Sequence, residues 1–388
     1  MRAAGVHCGI KDADLDLALL VSDTPASVAG VFTRSTVVGA PVSLCRERVR
    51  RGTARAIAIN SGISNVAMGK RGLRDAVNMA AAAARAVGVA EEDVLVASTG
   101  VIGEPLPMRK IRAGVAQAAA ALVPQGLPAA ARAIMTTDTV PKLAQRVVRI
   151  GRREVTLAGI AKGAGMIEPD MATMLSFLLS DVAATPAFLR RTLREVADRT
   201  YNRLTIDGEG STSDTVLLLA NGVAGHAPLR GPGSPGAARF RDALGDLATQ
   251  LVRALARDGE GATKLITVRV RGARSHREAQ AAARRIANSV LVKTAIFGGD
   301  ANWGRILQTL GAGRTALRLE RTRVTLAGVT VFGNGVSAGP AARRRAAKRL
   351  QAAEVDIEVA LGAGRGAAEL WTCDLTTDYV RINAEYTT

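Results

Sequence analysis

Residues Gly159 to Leu175 read GIAKGAGMIEPDMATML, and the rest of the chain is organised around them. Gly163 and Gly165 permit backbone conformations that ordinary residues resist. Lys162 supplies a fixed positive charge just ahead of them. Pro169 forbids a helix through the segment and pushes Glu168 to an extended conformation. After Thr173 the chain turns strongly apolar, as MLSFLLSDV, which predicts a buried strand. A threonine at the junction of a tight Gly/Pro loop and a core strand is held rigidly. Its hydroxyl is a poor nucleophile, and a free α-amino group on the same residue can act as its base. Taken alone, the segment reads more simply as a glycine turn before a strand, and its surroundings decide between the two.

Upstream, residues 1–60 alternate short apolar runs with turns. LDLALLVS, SVAGVFT, TVVGAPVSLC and ARAIAIN predict strands mostly at hairpin spacing, one of them closed by Asn60-Ser61-Gly62. A helix is expected over about 71–88. A strand from Val94 to Ala97 then runs into Ser98-Thr99-Gly100-Val101-Ile102-Gly103. Small residues there let backbone N–H groups point outward, as an oxyanion site requires, although a plain turn explains them too. A helix over Ile111–Val123 precedes Ile134-Met135-Thr136-Thr137-Asp138-Thr139-Val140-Pro141-Lys142. These threonines and the aspartate either wall a polar pocket or cap and turn the chain. Two strands, Ala144–Ile150 and Glu154–Ile160, form a hairpin that leads into the central stretch.

Downstream, a helix from about Pro186 to Thr200 is followed by a dense small-polar cluster, Ser211-Thr212-Ser213-Asp214, and a buried strand, Thr215–Ala220. A long helix from about Ala237 to Arg257 ends at Asp258-Gly259-Glu260-Gly261-Ala262-Thr263-Lys264, before strand Leu265–Val270. Helix 276–287, strand 290–297, strands at 322–333, a basic helix at 341–352 and strands at 355–361 and 367–373 complete the core. The last residues, Tyr379 to Thr388, read as strand-like. Hairpins mixed with helices, rather than alternating βαβα units, make α+β the expected class.

Length and composition bound what such a chain can be. With 388 residues it can form two or three domains with a large core. Hydrophobic residues make up 48% and aromatics only 3%, so the core must be built from aliphatics. No apolar run reaches membrane-spanning length, and Lys11, Asp12, Asp14 and Asp16 argue against a secretory signal. Cys8, Cys45 and Cys373 are far apart and lack metal spacing, which predicts reduced thiols in a cytoplasmic protein. His7, His226 and His276 form no local cluster, against a Ser-His-Asp or His-rich metal site. The net charge of +18 raises nucleic-acid binding, attraction of anionic substrates or simple solubility. Much of the excess is arginine on alanine-rich helices, such as Arg343, Arg344 and Arg345, with few aromatics to stack on bases. A solvated face is the better reading.

Six segments together resemble the ornithine acetyltransferases, also called glutamate N-acetyltransferases or the ArgJ type. They are Ser98–Gly103 (STGVIG), Ile134–Lys142 (IMTTDTVPK), Gly159–Leu175, Asp258–Lys264 (DGEGATK), Val292–Ile306 (VKTAIFGGDANWGRI) and Cys373–Thr388 (CDLTTDYVRINAEYTT). The resemblance covers nearly the whole chain and keeps the family's order. It implies a layered α/β sandwich that cuts itself between Ala172 and Thr173, giving an α-chain of 1–172 and a β-chain of 173–388. The β-chain then includes a C-terminal α/β region from about 275.

The resemblance also implies the chemistry. Thr173 takes the acetyl group of N2-acetylornithine and passes it to glutamate, a ping-pong reaction through an acetyl-Thr173 intermediate. The setting is arginine biosynthesis or a related specialised pathway. Thr99 and Gly100 match the oxyanion-stabilising pair. Thr136 and Lys162 match substrate contacts, Lys162 to a carboxylate. Glu260 matches the acidic partner of the amine, and Asn383 and Thr388 the C-terminal substrate contacts. No metal, nucleotide or other cofactor, no nucleic acid and no membrane are implied, and the mature form is an α2β2 heterotetramer in the cytoplasm. Two other readings stand beside it. One is an N-terminal-nucleophile aminopeptidase that uses water as acceptor; the other is a basic binding protein that has lost catalysis.

Overall fold

The stretch LSFLLS forms a strand, Leu175–Ser180, that is buried on both faces, as its apolar character predicts. Alternate side chains face opposite ways. Leu175, Phe177 and Leu179 enter the main core, while Ser176 meets the buried Tyr201, hydroxyl to hydroxyl, at 2.7 Å. The computed structural model describes residues 1–168 and 174–385. They form two units: Met1–Asn202 with Glu209–Leu255, and Arg203–Gly208 with the chain from Ala256 onward.

Among the described residues of the first unit, eight strands make one sheet. They are β1 (Arg2–Val6), β2 (Leu17–Phe32), β3 (Thr53–Ile63), β4 (Val94–Val101), β5 (Lys142–Ile150), β6 (Arg153–Lys162), β7 (Leu175–Ser180) and β8 (Thr215–Ala220). Their order is β4-β3-β2-β8-β7-β6-β5, with β1 beside the first part of β2. The pairs β3–β4 and β7–β8 are parallel. The helices are α1 (Ala40–Arg48), α2 (Gly69–Val87), α3 (Met108–Ala120), α4 (Leu127–Ala133), α5 (Pro186–Arg199) and α6 (Ala237–Arg257). Helices α2, α3 and α4 pack on one face, in a core that includes Met79, Ile111, Ala130 and Phe177. Helix α6 lies against β6 at Gly159. A Cβ on Gly159 would come within 3.1 Å of Leu247 and Leu251, so the small residue sets how closely that helix approaches. Thr185 caps α5 by accepting the Phe188 amide, with Pro186 in the first turn.

In the second unit, β9 (Leu265–Ala273), α7 (His276–Asn288), α8 (Val290–Phe297), α9 (Trp303–Ala312), β10 (Arg323–Leu326), β11 (Val329–Gly333), β12 (Val336–Ser337), α10 (Gly339–Arg349), β13 (Glu354–Ala360), β14 (Gly366–Cys373) and α11 (Thr377–Glu385) follow in turn. The sheet order is β12-β11-β10-β13-β9-β14, with β9 and β13 parallel. Its core joins Val268 and Val270 of β9 to Ala283 and Ile286 of α7. The layered α+β architecture is the expected one. The basic helix α10 exposes Arg343, Arg344 and Arg345 and buries only Ala342 and Ala346, as a solvated face requires.

Five local readings need correction. LDLALLVS and SVAGVFT are one continuous strand, β2, whose pairing with β3 is irregular between Val21 and Ala26. Asn60-Ser61-Gly62 lies inside β3 rather than in a turn. TVVGAPVSLC contains helix α1, with Pro41 in its first turn. Residues 290–297 are helix α8, capped by Ser289, and 377–385 are helix α11. In α8 the buried positions Val292, Lys293, Ala295 and Ile296 have helical spacing, but the charge on Lys293 hides it. β-branched content is a weak guide that tertiary packing overrides.

Strands β3 and β4 touch where both are glycine: Gly62 pairs with Gly100. Gly100 has φ +125, and a Cβ there would lie 2.2 Å from the Gly62 carbonyl carbon. Gly103 has φ +86 with nothing within 4 Å. Gly100→Ala should therefore destabilise the protein by at least ~3 kcal/mol, and Gly103→Ala by only about 1 kcal/mol. Urea midpoints of the two variants check this; equal losses would contradict it.

Candidate active site

Lys162 ends β6, and across the antiparallel pair it faces Leu175, the first residue of β7. The residue is 4% exposed. The ammonium donates to Thr136 Oγ1 at 2.7 Å and to Thr99 Oγ1 at 3.3 Å. Three candidates separated by tens of residues thus meet at one nitrogen. Gly100 follows Thr99 near the end of β4, with a positive φ of +125 that favours glycine.

Beneath this nitrogen lies Asp138, whose side chain is fully buried. Its carboxylate pairs with the equally buried Lys142 and sits 3.9 Å from Lys162. It also accepts the backbone amides of Gly163, at 2.7 Å, and Thr136, at 3.0 Å. Burial pushes this carboxyl up. The charges of Lys162 and Lys142, with hydrogen bonds from Lys142 and the Gly163 amide, outweigh it and hold the pKa at about 2. Asp138 therefore ties the Thr136 loop, the end of β6 and the start of β5 together.

A third lysine closes the floor. Lys11 Nζ donates to the carbonyls of Met135, at 2.6 Å, and Leu15, at 3.0 Å. Burial lowers its pKa; Asp14 and Asp16 oppose this, and the positive charge of Lys162 adds to it. Asp16 is itself buried and accepts the amides of Cys8, Ile10 and Lys11. Lys11, Lys142 and Lys162 are thus interleaved with Asp14, Asp16 and Asp138 in one charged network. The strand ends are braced from behind. Asn60 Oδ1 accepts the Ser98 hydroxyl at 2.6 Å, and Ser61 Oγ donates to the Ala133 carbonyl at 2.7 Å.

In the second unit, Glu260 is 8% exposed and accepts from Asn383 Nδ2 at 2.7 Å, so these two candidates are brought together. The loop carrying Glu260 is held by Asp374, which accepts the amides of Thr263 and Lys264. Thr173, Ala172 and Thr388 lie outside the described residues. Sequence reasoning passed over Lys11 and gave Asp138 and Lys142 no role of their own. The available signal was the spacing of Asp138 and Lys142, four residues apart in a polar segment between apolar runs.

The ArgJ family model matches residues 2–388, and so reaches every one of these positions. The chain belongs to the ArgJ family. It is 46% identical over 388 residues to an arginine biosynthesis bifunctional protein ArgJ of Geobacter sulfurreducens, covering 100% of this chain and 98% of that one. A protein of the same name from Symbiobacterium thermophilum is 48% identical over 391 residues, covering 100% and 96%. The solved structure of an arginine biosynthesis bifunctional protein from Bacillus halodurans is 41% identical. It covers 55% of this chain and 100% of its own, with a TM-score of 0.53. The resemblance read from six motifs thus extends over the whole ArgJ chain, and the α+β layering is that of the family.

The depressed pKa of Asp138 fixes the sign of a pH effect. A folded-state value of about 2, below the ordinary value near 3.9, gives stability that is complete above the ordinary value. It is lost as pH falls through about 2. Asp138→Asn should destabilise by about 2–3 kcal/mol at pH 7. The gap from wild type should close between roughly pH 4 and pH 2. Denaturant midpoints across that range test it; a gap that is constant with pH would contradict it.

Proposed function

We propose that the chain is a self-processing acyltransferase that moves an acetyl group from N2-acetylornithine to glutamate in arginine biosynthesis or a related pathway. The observation that supports this best is the Lys162 ammonium, buried beside the first residues of β7 and hydrogen-bonded to both Thr99 and Thr136. A buried cation with two hydroxyl partners and a shared carboxylate is a ready receptor for a substrate carboxylate. Membership of the ArgJ family supplies the reaction class.

In this reading the Thr173 hydroxyl first attacks the Ala172 carbonyl and water completes the scission. This divides the chain into 1–172 and 173–388. The freed α-amine has an ordinary pKa of about 7.7–8.0, so a useful fraction is neutral at physiological pH and accepts the hydroxyl proton. Thr173 Oγ then attacks the acetyl carbonyl. Thr99 supports an oxyanion role, because Lys162 donates to its oxygen and leaves its hydroxyl proton to point elsewhere. Ornithine departs, and glutamate takes the acetyl group from the threonine ester. Glu260 is assigned to a substrate ammonium, with Asn383 and Thr388 as further contacts. An α2β2 assembly in the cytoplasm belongs to the same proposal; among the described residues no helix is long and apolar enough to cross a membrane.

Thr173→Ala should give a single full-length chain with no transfer, read on a denaturing gel and by product mass. Thr99→Ala should lower kcat by roughly 10²–10³, and Lys162→Ala should act mainly by raising KM. Mass spectrometry of protein charged with acetylornithine should show a β-chain heavier by one acetyl group, discharged by glutamate. Discharge by water at the same rate without glutamate would favour the hydrolase reading instead.

A further inference from the structure

The Ser211–Asp214 cluster has no part in the chemistry above, yet it meets the central stretch. Its loop is pinned by three hydrogen bonds from Thr33 and Gly39. Thr33 Oγ1 donates to the Ser211 carbonyl at 2.6 Å, the Gly39 amide to Thr212 at 2.9 Å, and the Thr33 amide to Asp214 at 3.1 Å. Asp214 is fully buried. Its Oδ1 accepts the Met174 amide at 2.8 Å, and the next amide, that of Thr215, donates to the Met174 carbonyl at 3.1 Å. Met174, the second residue after the scissile bond, is therefore held at both its amide and its carbonyl. Asp214 Oδ2, by contrast, accepts no hydrogen bond among the described residues. A buried carboxyl oxygen left unpaired is unfavourable by about 1–3 kcal/mol and needs a reason.

Self-cleavage supplies one. In the mature enzyme the α-amine of Thr173 is the base, but before scission that nitrogen is a peptide amide and is not basic. The first reaction needs another proton acceptor. Thr173 directly precedes Met174 in the chain, and Asp214 grips the Met174 amide. We propose that Asp214 is the proton carrier of self-cleavage, distinct from the base of acetyl transfer. The inference rests on the reading of Thr173 as the nucleophile. The Asp214 carboxylate takes the proton of the Thr173 hydroxyl as oxygen bonds to the Ala172 carbonyl carbon. It returns that proton to the Thr173 nitrogen as the carbon–nitrogen bond breaks. Water then hydrolyses the resulting ester, leaving the Ala172 carboxylate and free Thr173, with Asp214 as it began.

The surroundings suit the task. Burial pushes the Asp214 carboxyl well above the usual range, against the Met174 amide, the charge of Lys162 on β6 and the Ser211 hydroxyl in its own loop. A more basic carboxylate is a better proton acceptor near neutral pH.

The test follows scission of newly translated full-length chain by intact mass in a cell-free system. Asp214→Asn keeps an oxygen for the Met174 amide but cannot carry the proton. It should slow scission at least ~100-fold, while its melting temperature stays close to that of uncut Thr173→Ala. Asp214→Glu, which restores a carboxylate, should recover part of the rate. Scission of Asp214→Asn at the wild-type rate would overturn the proposal. Should Asp214→Asn fail to fold, the wild-type pH profile decides. Its scission rate should rise through an ionisation above the ordinary aspartate range, and a rate independent of pH would equally overturn it. If wild type itself never yields a fragment beginning at Thr173, the acyltransferase reading fails. If wild type cuts and transfers acetyl while Asp214→Asn cuts equally fast, only this inference fails.

Discussion

A single buried carboxylate, that of Asp138, sits between two buried lysines. Each lysine alone would be an uncompensated charge in a dry interior, which proteins avoid by neutralising it or pairing it. Here one anion serves both Lys142 and Lys162 and also accepts two backbone amides. The arrangement does more than offset desolvation. It fixes the start of β5, the end of β6 and the loop carrying Thr136 in one geometry. Lys162 keeps hydrogen-bonding capacity for Thr99 and Thr136, so the same pairing that makes the interior tolerable leaves a cation with polar company beside β7.

Backbone constraints complete that geometry. Gly62 and Gly100 lie opposite each other in β3 and β4, where a side chain on Gly100 would strike backbone rather than a side chain that can move. This close approach sets where Thr99 stands. Asn60, Ser61 and Ser98 then brace the same strand ends with side-chain hydrogen bonds. Thr99 and Lys162 therefore stand near strand ends, and the loops beside them are held by buried polar groups as well as by buried apolar residues such as Ile134 and Ile167.

Much of this was legible in the chain. The period and length of apolar runs placed most strands and the long amphipathic helices, because burial on one face or two leaves a direct imprint on sequence. Thr99, Thr136 and Lys162 were recognisable from their motifs, and they do converge. What stayed hidden was decided by tertiary context. Residues 290–297 look like a strand because their helical burial pattern includes a charged residue, Lys293. Its ammonium is satisfied by the Ile206 carbonyl and Thr372, which are distant in sequence. The double duty of Asp138 was hidden for the same reason, since one of its two lysines lies on another strand. Asp214 stood out only as part of a small-polar cluster. Its grip on Met174 joins segments forty residues apart, and no local pattern announces it.

The strand order has a topological result. A chain severed before Thr173 assigns β7 and β8 to one polypeptide and β2 and β6, the strands on either side of them, to the other. The two pieces are then interleaved within a single sheet. Neither can complete its hydrogen-bond ladder alone, and dissociation would require tearing two inter-strand seams at once. Such a molecule is assembled while it is still one polypeptide. After severance its unfolded pieces must find each other in solution, so recovery becomes bimolecular and its durability depends on the barrier to unfolding rather than on ease of return.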